Sequence, residues 1–118
     1  MGTDTEKAQP KMRLLSLAGL CRRAGGISPG ADAAQRSMRE TKKPAAVILS
    51  SDASARTAKQ ITDKGRTYGV PVFVSRHTAD ETGRALGLSS PVAAFAVTGR
   101  GPAASLLDAA RAECTLAE

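Results

Sequence analysis

Three apolar runs, Ala45-Ala46-Val47-Ile48-Leu49-Ser50, Val70 to Ser75 and Val92 to Thr98, recur along a chain of 118 residues, with helix-length stretches between them. Runs without polar alternation mark strands that are covered on both faces. Such strands, alternating with helices, require a central sheet between two helical layers, an α/β/α sandwich.

The intervening stretches supply the helices. From Pro10, Leu14, Leu17, Ala18 and Cys21 form one apolar face, flanked by Leu15 and Leu20, and Gly25-Gly26 stops the helix. Ile27-Ser28 reads as a very short strand. A second helix opens between Pro29 and Asp32, with Ser28 or Gly30 as cap, and ends in Arg39-Glu40-Thr41-Lys42-Lys43-Pro44. Ser51-Asp52 reads as the cap of a third helix through Ala58, Ile61 and Tyr68, closed by Gly69 and followed by Pro71. Thr78 to Glu81 matches a capping box that opens a short helix ending at Gly87. Gly101-Pro102 begins the last helix, with Ala104, Leu106, Leu107 and Ala110 as its buried side. Residues 1–9 lack apolar periodicity and read as a disordered lead-in, 10–113 as one domain, and 114–118 as a C-terminal tail.

Charge narrows the choice of partner. Seventeen Lys and Arg against 11 Asp and Glu leave a net charge of +6, a balance suited to a polyanion. Aromatic residues make up only 3% of the chain. Of Tyr68, Phe73 and Phe95, the two Phe lie inside strand runs, so the chain has no rings to spare for reading single-stranded RNA by stacking. Cys21 continues the apolar stripe of the first helix and reads as core filler, while Cys114 reads as part of a frayed end. Neither cysteine has metal-ligand or Cys-x-x-Cys spacing. No signal peptide or long apolar stretch is present, so the expected compartment is a reducing cytoplasm without membrane attachment.

Catalysis finds no support. His77, the one histidine, lies at the junction of a strand and a capped helix and reads as an exposed polar residue. No serine sits in a nucleophile elbow and no cluster has ligand spacing. Asp32, Asp52 and Asp80 all fall at helix starts, where capping explains them. Gly99-Arg100-Gly101-Pro102-Ala103-Ala104 fits G-x-G-x-x-A. It follows the last strand, however, and no later strand can present an acidic residue to a ribose, so it reads as a turn. No metal and no small-molecule cofactor are expected.

The basic residues are more telling by position. Arg22 and Arg23 end the first helix, Arg36 and Arg39 lie on the second, and Arg76 and Arg84 flank the fourth. Arg36, Arg76 and Arg84 belong to elements whose ends can share one rim of the sheet. Two segments would frame that rim. One is the helix start Ile27-Ser28-Pro29-Gly30-Ala31-Asp32, and the other the Gly-punctuated loop from Thr82 to Pro91.

Four further stretches carry a family likeness: Leu17 to Gly25, Leu49 to Ser54, Ile61 to Lys64 and Gly83 to Gly87. With them the chain, over roughly 12–107, resembles the superfamily of ribosomal proteins L-seven-Ae and L-thirty-e, the kink-turn RNA binders. It is most similar to the bacterial YlxQ-type RNA-binding proteins. The resemblance implies a three-layer α/β/α sandwich with a central four-stranded mixed sheet. It implies an RNA site at Gly30, Ala31, Asp32 and Ala33, with Arg36 a turn further, to which the position of the basic residues adds Arg84. The loop Leu88, Ser89, Ser90, Pro91 and Val92 completes the site, and Arg76 and His77 add a contact before the fourth helix.

Kink-turn binders carry Gly-x-Asn-Glu followed by a Lys, and the Asn-Glu pair reads guanines of sheared G·A pairs. Here those positions hold Asp32, Ala33 and Arg36, and Ser51 replaces a common acidic residue. Ala33 cannot accept a hydrogen bond from guanine, a loss of about 1–3 kcal/mol. The expectation is therefore a non-enzymatic binder of structured RNA, ribosomal or linked to ribosome assembly, with weakened kink-turn recognition. The alternative is a protein-interaction module of the same fold that docks ribosomal or transcription-factor proteins.

Overall fold

The computed structural model describes residues 10–99 and 102–117. The lead-in expected for residues 1–9 and the turn at Arg100-Gly101 lie outside them. Five helices appear among the described residues: α1 (Pro10–Arg23), α2 (Ala31–Arg39), α3 (Ala55–Tyr68), α4 (Ala79–Ala85) and α5 (Ala103–Glu113). The strands are β1 (Ile27–Pro29), β2 (Ala46–Leu49), β3 (Val72–Val74), β4 (Ala94–Val97) and β5 (Thr115–Leu116). They form one mixed sheet in the order β1-β4-β2-β3-β5.

The sheet has five strands where four were expected. Thr115 and Leu116, read as tail, pair antiparallel with Val74 and Phe73, and the Ala117 N–H donates to the Val72 carbonyl at 2.8 Å. Two residues carry too little pattern to announce a strand. This one forms because α5 delivers the chain to the open edge of β3.

Alternation along each strand divides the core into two layers. Ala46 and Ile48 of β2 and Phe95 and Val97 of β4 face α1 and α5, where Leu14, Cys21, Leu106 and Ala110 meet them. Val47, Leu49, Ala94 and Ala96 face the other way, onto Ala34 and Met38 of α2 and Ile61 of α3. Both faces are covered, as the unbroken apolar runs require. Burying each large side chain contributes roughly 1.5–3 kcal/mol.

Several local expectations shift. Ser54, and not Ser51 or Asp52, caps α3, its hydroxyl accepting from the Thr57 N–H at 3.1 Å. Pro29 ends β1 and Gly30 is the N-cap of α2, so proline does not enter the helix. On α5, Ala103, Leu106, Ala109 and Ala110 are buried, while Ala104 is exposed. The capping box on α4 is present as read.

Strand directions position the site. β1 and β2 each run antiparallel to β4, and β3 runs parallel to β2. The carboxyl ends of β1, β2 and β3 therefore share one edge of the sheet with the amino end of β4. Four connections gather there: the Gly30 turn, 50–54, 75–78 and 86–93.

Candidate nucleic-acid interface

The two segments singled out above are neighbours on this edge. Backbone hydrogen bonds join them: the Gly30 N–H donates to the Ala94 carbonyl at 2.8 Å. Between them lies a cleft of about 250 Å³ lined by Pro29, Gly30 and the loop from Leu88 to Val92. Gly30 has φ +102°, a conformation that only glycine adopts at little cost.

The start of α2 is open. Gly30 offers no side chain to cap it, and the Ala34 N–H is the first to find a helical acceptor, the Gly30 carbonyl at 2.9 Å. Among the described residues the N–H groups of Ala31, Asp32 and Ala33 have no intramolecular acceptor, the expected state of a first helical turn without a cap. Three donors thus stand beside the cleft, at the positive end of the α2 dipole.

The loop opposite is held from beneath. The Ser50 hydroxyl, buried at the end of β2, donates to the Val92 carbonyl at 2.6 Å. It also lies 3.3 Å from the Thr82 hydroxyl, which donates to the Thr78 carbonyl at 2.8 Å. The Ser50 N–H donates to the Ala93 carbonyl and the Val92 N–H to the Ala79 carbonyl. These bonds delay the entry of the chain into β4 until Ala94, two residues later than the apolar run suggests. Gly83 packs flat against the loop, and a Cβ there would collide with the Ser90 carbonyl oxygen. Ser50, Thr82 and Gly83 shape the site from beneath, and the Ser50 contact carries no sequence signal because its partner Val92 lies 42 residues away.

The remaining candidates divide. Arg36 and Arg84 are exposed, and neither forms an ion pair among the described residues. Asp32 is exposed in the first turn of α2, and Ala33 is half-buried. Leu88 is half-buried, Ser89, Ser90 and Pro91 are exposed, and Val92 is 3% exposed within the core. Arg76 is exposed on the same edge, in the connection after β3.

His77 is not the exposed residue the sequence suggests; it is 6% exposed. Its carbonyl accepts from the Ser51 N–H and its own N–H donates to the Ser75 hydroxyl, which draws the residue inward. Its Nδ1 lies 3.8 Å from Glu81 Oε1.

Carboxylates share the edge as well. Asp52 Oδ1 accepts from the Ala79 N–H at 2.8 Å and Glu81 Oε1 from the Thr78 N–H at 2.8 Å, so both are bound into the start of α4. Asp80 is exposed in that same first turn. No group of three or more His, Cys, Asp or Glu among the described residues could hold a metal ion. No described helix is long and apolar enough to cross a membrane.

Among solved structures, the chain is similar to a Bacillus halodurans protein of unknown function. The two are 30% identical over 84% of this chain and 97% of that one, with a TM-score of 0.74. The chain belongs to that protein's family. It is also similar to the Giardia lamblia 15.5kD RNA binding protein, with a TM-score of 0.73 over 89% of this chain and 88% of that one. At 19% identity this second likeness is one of fold. No protein-family model matches the chain, and no curated protein does.

Proposed function

We propose that this chain is a non-enzymatic RNA-binding domain of the L-seven-Ae-like superfamily, of the YlxQ type, acting in the cytoplasm on structured RNA of ribosomal or ribosome-assembly origin. The observation that carries this reading is the uncapped start of α2 beside a small cleft, on a fold shared with a solved RNA-binding protein.

The N–H groups of Ala31, Asp32 and Ala33 meet phosphate or base-edge acceptors, and the Arg36 guanidinium clamps a phosphate. The cleft, at about 250 Å³, is smaller than the roughly 300–1,000 Å³ of sites for drug-sized ligands. That size suits one base turned out of its stack against Leu88 and Pro91, rather than a whole cofactor. Arg76 and Arg84 add backbone contacts at the margin. With Asp32 and Ala33 in place of an acceptor pair, kink-turn recognition is retained only in weakened form.

The test is a set of binding isotherms for a kink-turn RNA and a plain duplex of equal length across a salt series. If Arg36, Arg76 and Arg84 each neutralise a phosphate, log K should fall with log salt with a slope of about −2 to −3. Arg36→Glu should weaken the kink-turn RNA by about tenfold or more and flatten the slope. Unchanged affinity of that variant for both RNAs would show that the site lies elsewhere.

A further inference from the structure

Not every apolar residue of α1 points at the core. Leu14, Ala18 and Cys21 are buried against the sheet, whereas Leu15, Ser16, Gly19, Leu20 and Arg23 line an open groove of about 460 Å³, with Ala85 of α4 as its other wall. Leu20 is 46% exposed, and among the described residues the one other exposed large hydrophobic is Leu116. A helix needs a single apolar stripe to sit on a sheet. This one carries a second, with no described element over it.

We propose that this groove docks a helical segment of a partner protein, one whose apolar side chains are flanked by carboxylates. Charge complementarity selects that occupant. Arg23 lines the groove, Arg22 precedes it, and no carboxylate lines the cavity. Neither arginine forms an ion pair among the described residues. The lining residues of α1 span two turns, roughly 12 Å of helix axis, which matches apolar anchors at i, i+4 and i+7 of a helix laid in a groove.

Two other occupants fit less well. A second copy of this chain in a symmetric pairing would bring the same arginines face to face. RNA would find no open backbone N–H groups there, since the lining lies within and at the end of α1 and at the end of α4, away from any helix start. None of the residues lining the groove also lines the RNA cleft.

The probe is a short amphipathic helical peptide with leucines on one face and glutamates flanking them, titrated into the isotope-labelled full chain. A sister peptide carries lysine for every glutamate. We expect saturable amide shifts centred on Gly19, Leu20, Arg23 and Ala85. Leu20→Glu should weaken the glutamate peptide by about tenfold or more. Arg23→Glu should weaken the glutamate peptide and tighten the lysine peptide, a charge swap that a nonspecific apolar contact would not produce. Leu20 and Arg23 are both exposed, so the variants should melt with the parent, and the shift map of the parent chain stands as a separate readout. The proposal is overturned if both peptides bind equally, or if saturable shifts are absent or lie elsewhere. It is also overturned by a parent dimer in sedimentation velocity that Leu20→Glu dissolves, or by loss of RNA affinity in that variant.

Discussion

Removing one oxygen atom should measure how firmly the loop over the cleft is held. Ser50 is 3% exposed, and its hydroxyl donates to the Val92 carbonyl at 2.6 Å. Val92 is also 3% exposed, so Ser50→Ala leaves that carbonyl without its short partner in a place with little access to water. An unsatisfied buried acceptor costs about 1–3 kcal/mol. The lost 3.3 Å contact to Thr82 adds little, since the Thr82 hydroxyl keeps its bond to the Thr78 carbonyl. We therefore expect a loss of about 2 kcal/mol in urea unfolding with an unchanged m-value. For a domain of this size that corresponds to a fall of roughly 8 °C in Tm. RNA affinity should drop as well, because Val92 borders the cleft and its carbonyl no longer fixes the loop. A cost below about 0.5 kcal/mol would place Ser50 among ordinary surface substitutions and refute the claim that β2 anchors the loop. A full cost with unchanged RNA affinity would separate the anchor from the interface.

Gly83→Ala drives a Cβ into the Ser90 carbonyl oxygen and should cost about 1–3 kcal/mol, with RNA affinity falling in parallel in isotherms at fixed salt. Thr78→Ala removes the hydroxyl that accepts from the Glu81 N–H at 3.2 Å and should cost about 1 kcal/mol in chemical denaturation. Burial raises the Glu113 carboxyl above its ordinary 4.5. A raised carboxyl favours the folded state below its unfolded pKa, and that contribution is lost as pH rises through the folded value. Glu113→Gln should therefore gain stability over the parent at pH 7 but not at pH 3.5, read from paired thermal melts. Burial likewise pushes the Cys114 thiol up to about 11, so iodoacetamide at pH 8 should modify it far more slowly than free glutathione.

What the sequence makes legible is what is local. The three apolar runs announce buried strands because two covered faces require unbroken apolar character, and Thr78 to Glu81 announces α4 because both halves of the capping box lie within one turn. The errors arise where a residue answers to a distant partner. Asp52 has the look of a cap for the helix that follows it, yet its carboxylate serves the Ala79 N–H, 27 residues on. Both positions are helix starts, and the residue type alone cannot choose between them. His77 sits among polar neighbours and is drawn inside by backbone bonds to Ser51 and Ser75. The short β5 exists because α5 ends beside β3, a fact of tertiary placement. At the candidate site, the Gly30 turn and the 88–92 loop were expected to frame one rim, and the pairing of β1 with β4 is what makes them neighbours.

Charge at that edge constrains how any recognition there must operate. Arg36, Arg76 and Arg84 are free of ion pairs among the described residues, and Asp32 and Asp80 are exposed carboxylates on the same edge. Asp52 and Glu81 are bound to backbone N–H groups, which places their charge at the positive end of α4. The edge is therefore close to balanced, and the net charge of +6 draws heavily on residues elsewhere, such as Arg22, Arg23, Arg39 and Lys42. A field spread over the whole surface speeds encounter with a polyanion but does not choose among polyanions. Choice must come from fixed geometry, and the edge supplies it in the open donors of α2 and a loop tied to β2. Phosphate contacts from the arginines would then set position, while the cleft and the α2 amides set which RNA is accepted.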